Sequence, residues 1–193
     1  MATGLGNPPN PVNARRLILD LCGGTGAWSY PYRKAGYDVR LVTLPEQDVR
    51  TYILPPERAF VWGVLAAPPC TDFVSSGARW WKGKPAPDLS VVRACLELCR
   101  LGTWWALENP VGRLKRLAGL GEPTLIYHPW EYGDPWTKKT LVWGNFNIPF
   151  RTPVPHPNEF WGWRKLGGKG ERTKRLRSET PHGFAQAFFE ANP

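Results

Sequence analysis

The chain is poor in the residues that build metal and disulfide sites. It holds three histidines and four cysteines among 193 residues. Cys22, Cys70, Cys95 and Cys99 include no C-x-x-C pair, and no histidine stands at zinc-ligand spacing from them. A disulfide framework and a structural zinc site are therefore not expected, and the cysteines read as reduced thiols in a reducing compartment. His128, His156 and His182 occupy proline-rich or helix-start contexts that suit surface or capping roles. No apolar run approaches the roughly 20 residues of a membrane-spanning helix, and no signal peptide is visible. Acidic residues are also scarce, with 16 Asp and Glu against 25 Lys and Arg, a net charge of +9 and a pI near 9.7. This balance fits a polyanionic partner, and equally a solvated basic surface.

What is present describes a folded domain. The apolar content is 42%, ordinary for a globular protein, and the length suits one domain with a sizeable core. Eleven tryptophans are many. Some belong to a core, while those beside bases or glycines could form a binding surface. Residues 1–14, rich in Asn, Pro and Gly, read as an unstructured arm.

Arg16 to Leu21 is a short apolar run that enters the glycine turn Cys22-Gly23-Gly24-Thr25-Gly26. A helix is expected over 27–35, then strands over 37–44 and 61–66, the latter stopped by Pro68-Pro69. Residues 74–88 read as a mobile basic loop, 89–101 as a helix with Cys95 and Cys99 on its buried face, and Trp104–Leu107 as a strand closed by Glu108-Asn109-Pro110. A basic helix over 111–118, a strand over 140–143 and a last helix over 182–191 complete the pattern. Alternating strands and helices predict an α/β domain with a mainly parallel sheet, in which ligands sit beyond the carboxyl ends of the strands. The glycine turn, the P-P-C cysteine and the E-N-P glutamate each follow a strand, so they are expected to meet in one cleft.

Each of these signals has a plain alternative. Glycines let the backbone approach a polar or anionic ligand, but they also make an ordinary strand–helix turn. A cysteine stiffened by two prolines suits a nucleophile acting as thiolate, or an inert buried thiol. A carboxyl at a strand end can be a general acid when apolar surroundings keep it protonated, or it can cap a loop.

Their order and spacing are more specific than any one of them. D-L-C-G-G-T-G, A-P-P-C and E-N-P follow in the order found in DNA (cytosine-5) methyltransferases, and the chain resembles short, phage-type members of that family. Tyr132-Gly133-Asp134-Pro135-Trp136-Thr137-Lys138-Lys139-Thr140 is similar to the family's Y-G-x-P-Q-x-R-x-R segment, and Arg177-Ser178-Glu179-Thr180-Pro181 to its last cofactor-binding motif. The resemblance covers residues 15–144 and 177–191.

It implies a Rossmann-like, S-adenosylmethionine-dependent methyltransferase core over 15–144, a much reduced target-recognition segment over 145–176 and a completing helix over 177–193. By resemblance Cys70 adds to C6 of a flipped cytosine, Glu108 protonates or hydrogen-bonds N3, and Asn109 holds the loop. S-adenosylmethionine would lie over Asp20, Cys22, Gly23, Gly24, Thr25 and Gly26, with Asp48 near the adenine and Thr180-Pro181 closing the site. Pro68 belongs to the same set, its backbone touching the exocyclic amine of the base. Arg79, Lys82, Lys84, Lys138, Thr140, Trp161, Trp163, Arg164 and Lys165 would meet the nucleic acid, with 74–88 as the lid.

Three features depart from the family. Thr43 stands where an acid normally binds the cofactor ribose, with Glu46 as a substitute. Trp136, Lys138 and Thr140 replace Gln, Arg and Arg. The recognition segment is short, so relaxed sequence specificity or a single-stranded preference is expected. The partner implied is DNA, acted on by a monomer without metal in the cytoplasm, that of the host if the chain is phage-encoded. The same scaffold with another transferred group, cofactor or substrate, such as a free nucleotide or RNA, remains open. So does a non-catalytic nucleic-acid-binding relative.

Overall fold

Leu17–Leu21 forms β1, and all five of its residues are buried. A strand without an exposed face belongs at the centre of a sheet covered on both sides. The computed structural model bears this out and describes residues 11–56, 60–83, 85–157, 170, 173 and 178–193. The other strands are β2 (Asp38–Val42), β3 (Val61–Ala66), β4 (Gly102–Pro110), β5 (Leu125–Tyr127) and β6 (Thr140–Asn145). They form a six-stranded sheet in the order β2-β1-β3-β4-β6-β5. β1, β2, β3 and β4 are mutually parallel neighbours, while β6 runs antiparallel to both β4 and β5. The result is an α/β fold with a mostly parallel mixed sheet and flanking helices, compatible with a Rossmann-like architecture.

Among the described residues the named helices are α1 (Tyr30–Lys34), α2 (Ser90–Cys99), α3 (Leu114–Ala118) and α4 (His182–Ala191). One face of the sheet is aliphatic, where Leu17, Leu19 and Leu21 meet Val64, Val92, Cys95, Cys99 and Leu114. The other is aromatic, built from Trp28, Tyr32, Tyr37, Trp104, Tyr127, Tyr132, Phe184 and Phe188. Tyr127 stacks on Phe184 with ring centroids 3.9 Å apart, and Trp28 meets the edge of Phe188 at 5.4 Å. α2 carries Cys95 and Cys99 on its buried side, as its period predicts.

Several boundaries differ from the sequence reading. The helix expected over 27–35 starts only at Tyr30, because the turn continues from Gly24 and Pro31 fits best in a first helical turn. β2 is shorter than expected, and the basic helix is confined to 114–118, ended by Gly119 in a left-handed conformation. Within the loop 74–88, residues 75–80 form a 3-10 helix. β5 and a 3-10 turn over Pro129–Tyr132 carry no strong periodic signal in the sequence. E-N-P does not follow β4 but ends it: Glu108, Asn109 and Pro110 pair with Val142, Leu141 and Thr140 of β6. An antiparallel neighbour late in the chain extends a strand that apolar content alone would stop at Leu107.

Candidate active site at the carboxyl edge of the sheet

The P-P-C segment leaves β3 at the carboxyl edge. Ala67 N still donates to Leu21 O at 2.9 Å, so the chain follows the sheet until the prolines. Pro68 is buried, Pro69 exposed and Cys70 half-buried. Two prolines fix φ and narrow the paths the chain can take into the cysteine. Cys70 O then accepts from both Phe73 N and Val74 N at 2.9 Å, so the thiol stands at the opening of a turn.

That turn is stitched to the end of β4. Ser75 N donates to Val111 O at 2.8 Å and Arg113 N to Phe73 O at 2.9 Å, flanking a bridge between Val74 and Gly112. A Cβ at Gly112 would lie 1.9 Å from Phe73 O, so only glycine permits this approach. Deeper in, the fully buried Asn109 donates from Nδ2 to Pro68 O at 2.9 Å. Cys70 and Glu108 are thus held on one edge by backbone and amide contacts.

Lys138 joins them from the entry to β6. The neighbouring Lys139 O accepts from Val111 N at 3.4 Å, and Thr140 pairs with Pro110. Burial pushes the Cys70 thiol up; the Lys138 ammonium pulls it down and the Glu108 carboxylate raises it again. Burial also raises Glu108, and Lys138 opposes that shift. Cys70 therefore senses both Lys138 and Glu108, and Glu108 senses Lys138. Glu108 Oε2 is buried and has no hydrogen-bond partner among the described residues. A buried carboxyl without a donor is costly as an anion and is readily held as an acid. Neutral Glu108 also relieves the charge that disfavours a Cys70 thiolate, while Lys138 stabilises it. A carboxyl whose pKa is raised by burial, a thiol and a lysine on one edge are groups suited to nucleophilic addition to an electron-poor ring.

The glycine turn forms the second half of the edge. Cys22 adopts a left-handed φ of 57° and donates its N–H to Val42 O at 2.8 Å. Asp20 is fully buried beneath the turn. Ser29 Oγ donates to its Oδ2 at 2.5 Å, whereas Oδ1 has no partner among the described residues. A Cβ at Gly23 would lie 2.1 Å from that Oδ1, so the turn closes over the carboxyl only because Gly23 lacks one. Burial raises the Asp20 pKa to about 6, against the opposing bond from Ser29. Gly24 and Thr25 are exposed, and nothing lies within 4 Å of a Cβ built at Gly24. This open cradle of glycine backbone is compatible with a nucleoside-bearing cofactor.

The remaining cofactor candidates are arranged less tightly. Thr43 follows β2 half-buried, and Glu46 is exposed. Asp48 is close enough to Cys22 to act on its thiol, yet it already binds Arg50, with Arg50 N donating to Oδ1 at 2.9 Å and Arg50 Nη2 at 2.5 Å from Oδ2. This pairing holds Asp48 at a pKa of about 2. Thr180 and Pro181 are buried at the start of α4, where Gly183 N donates to Asp134 Oδ2 at 2.9 Å. That bond joins the Y-G-D-P segment to the T-P segment, and Phe184 just beyond it meets Trp28 just past the glycine turn at 5.9 Å.

Of the nucleic-acid candidates, Arg79 and Lys82 are exposed and Lys138 is half-buried against the site. Thr140 is buried; its hydroxyl donates to Lys138 O at 3.1 Å and shares a hydrogen bond with Tyr127, so it forms wall rather than open surface. Lys84, Trp161, Trp163, Arg164 and Lys165 lie outside the described residues, as do residues 1–10 of the expected arm and most of the basic part of 145–176. Sequence reading missed Arg113. Its guanidinium stacks over Trp81 at 4.3 Å and its Nε donates to Asp72 O at 2.8 Å, which ties the loop 74–88 to the Cys70 turn. An arginine just after E-N-P was visible, but its partner is distant in sequence.

A cavity of about 270 Å³ lies at the opposite edge of the sheet, lined by Trp62, Trp104, Phe146 and Asn147 among others, away from these groups. Among the described residues no cluster of three or more His, Cys, Asp or Glu could hold a metal ion, and no helix is long and apolar enough to cross a membrane. No protein-family model matches the chain, and a search of the curated proteins finds no significant match.

Proposed function

We propose that the chain transfers a methyl group from S-adenosylmethionine to C5 of a cytosine in DNA, through a transient bond between Cys70 and the ring. The observation that carries this reading is the shared environment of Cys70, Glu108 and Lys138, with Glu108 Oε2 buried beside them and without a hydrogen-bond partner among the described residues. The glycine cradle over Asp20 fits the cofactor; when bound, S-adenosylmethionine supplies an electrophilic methyl group.

Cys70 Sγ, as thiolate stabilised by Lys138, adds to C6 of the base. The electron pair of the C5–C6 double bond shifts to form a C4–C5 double bond, the C4–N3 π pair moves onto N3, and Glu108 delivers its proton to N3, which neutralises the developing charge. C5 is then enamine-like and accepts the methyl group. Loss of the C5 proton to a base re-forms the double bond, expels Cys70 as thiolate and returns the N3 proton to Glu108. Asn109 keeps Pro68 and the cysteine turn at fixed distance from Glu108 throughout. The ring must leave its stack to reach this edge, and the loop held by Arg113 and Trp81 flanks the entry.

DNA containing 5-fluorocytosine tests the reading. With S-adenosylmethionine the wild type forms a covalent complex stable to denaturation, and Cys70→Ser forms none. A wild-type chain that binds DNA without adduct is instead a non-catalytic binding protein. Thr43 and the Asp48–Arg50 pair favour one variation of the proposal, a different transferred group or cofactor on the same scaffold; mass spectrometry of product nucleosides separates the two. The short segment 145–176 supports recognition of few bases, and bisulfite sequencing of exposed DNA that returned a long strict motif would refute that part.

A further inference from the structure

The glycine turn holds a thiol contact that the proposed reaction does not use. Cys22 Sγ lies 3.9 Å from Cys95 Sγ. Both are free thiols. Cys95 is fully buried on α2, a ten-residue helix anchored to the aliphatic core beside Val92 and Cys99. Cys22 is half-buried, so an oxidant reaches it first. It also sits at the left-handed φ of 57°, a conformation that costs a non-glycine residue free energy and that the surroundings must maintain. The shared proton between the two sulfurs favours negative charge on Cys22 and pushes Cys95 the other way. Buried Cys99, raised to about 12, is inert by comparison. An accessible thiol with thiolate character beside a buried resolving thiol is the arrangement found in redox-responsive pairs.

We propose that Cys22 and Cys95 form a reversible oxidation site, whose disulfide ties the glycine turn to α2 and weakens cofactor binding. The oxidant class is a hydroperoxide. Cys22 thiolate attacks one oxygen of hydrogen peroxide, the O–O bond breaks, and the departing hydroxide takes up the proton that the Cys22 thiol had released and leaves as water, with formation of a sulfenic acid. Cys95 sulfur then attacks the sulfenic sulfur, the S–O bond breaks, and the Cys95 proton departs in a second water. Peroxide is reduced by two electrons and each sulfur is oxidised by one. The sulfurs must close from 3.9 Å to roughly 2 Å. α2 is held by the core on its whole buried side, so the turn moves, and with it the cradle formed by Gly23 and Gly24. The disulfide itself is independent of the proposed function; its effect on binding rests on the cofactor reading.

Two measurements on the full chain keep these apart. After mild hydrogen peroxide, non-reducing peptide mapping should return a Cys22–Cys95 link that dithiothreitol removes. Calorimetry with S-adenosylhomocysteine should show binding by the reduced chain, weakened about tenfold on oxidation and restored on reduction. Cys95→Ala should bind as the reduced wild type does and keep that affinity after peroxide; Cys95→Val preserves core volume if alanine destabilises the fold. Absence of the link, or a link from Cys22 to Cys70 or Cys99, overturns the site. A link without change in affinity overturns the control. If the reduced chain does not bind S-adenosylhomocysteine, the cofactor reading and the control both fall, while the peptide map still decides the disulfide.

Discussion

The two halves of the candidate site are built differently. The half around Cys70 and Glu108 is braced three ways: by Asn109 on Pro68, by the Phe73, Val74 and Ser75 contacts to residues 111–113, and by β6 running antiparallel along β4. The half around the glycine turn depends on one buried carboxyl, one left-handed cysteine and an exposed ion pair. Covalent chemistry requires reacting atoms held within a fraction of an ångström, whereas a turn that binds a ligand can adjust as the ligand arrives. Under the proposed function the contrast matches a division of labour between a rigid reaction centre and an adaptable cradle.

The sharpest way to break this comparison is at the nucleophile. Cys70→Ser should lower methyl transfer by at least about 10⁴-fold, while calorimetry shows S-adenosylhomocysteine binding unchanged; a parallel loss of both would mean the halves are not separate. Glu108→Gln comes next, with a loss of about 10²–10³-fold in rate. In the proposed reaction the acid form of Glu108 is the active one, and burial raises its pKa, so the wild-type rate should fall as pH climbs through the raised pKa, and the Gln variant should lose that limb of its pH–rate profile.

The cradle half offers a test in stability. Asp20 moves from 3.8 to about 6 on folding. The folded chain then holds the proton more tightly than the unfolded chain, so the stability contribution is complete below about pH 4 and is lost as pH rises through 6. At about 1.4 kcal/mol per pKa unit the loss is about 3 kcal/mol. Subtracting the urea-unfolding curve of Asp20→Asn from that of the wild type across pH 4–7 should isolate it, and parallel curves would refute it. A smaller effect should come from the bracing itself: Gly112→Ala, which drives a Cβ into Phe73 O, should destabilise by about 1–3 kcal/mol. The smallest is Arg50→Ala, whose exposed pair with Asp48 should leave the unfolding midpoint unmoved while freeing the Asp48 carboxylate; a large drop in midpoint would show the cradle to be as braced as the reaction centre.

Much of this arrangement could be read in the chain before folding. The short apolar run before D-L-C-G-G-T-G marked β1 as a buried strand, the period of 89–101 placed Cys95 and Cys99 inward, and 182–191 matched α4. Strand ends marked by Gly, Pro-Pro and E-N-P pointed to one edge because parallel strands align their carboxyl ends. Other features were hidden. The partner that extends β4 through Pro110 comes from β6, and the cation facing Cys70 and Glu108 comes from Lys138, both a long way along the chain. The Cys22–Cys95 contact spans an even larger interval, and the need for glycine at 112 arises from a carbonyl at Phe73.

The sequence by itself determined the α/β class and the buried strands, because burial pattern is a local property, and it offered Cys70 and Glu108 through turn chemistry and Asp20 through the motif resemblance as candidate residues. Only the tertiary structure decided that Glu108 stands on a strand, that Lys138 completes its environment, that Asp48 is committed to Arg50 and that two thiols touch beneath the glycine turn. Contacts between distant segments depend on how the sheet orders its strands, and no local pattern carries that information.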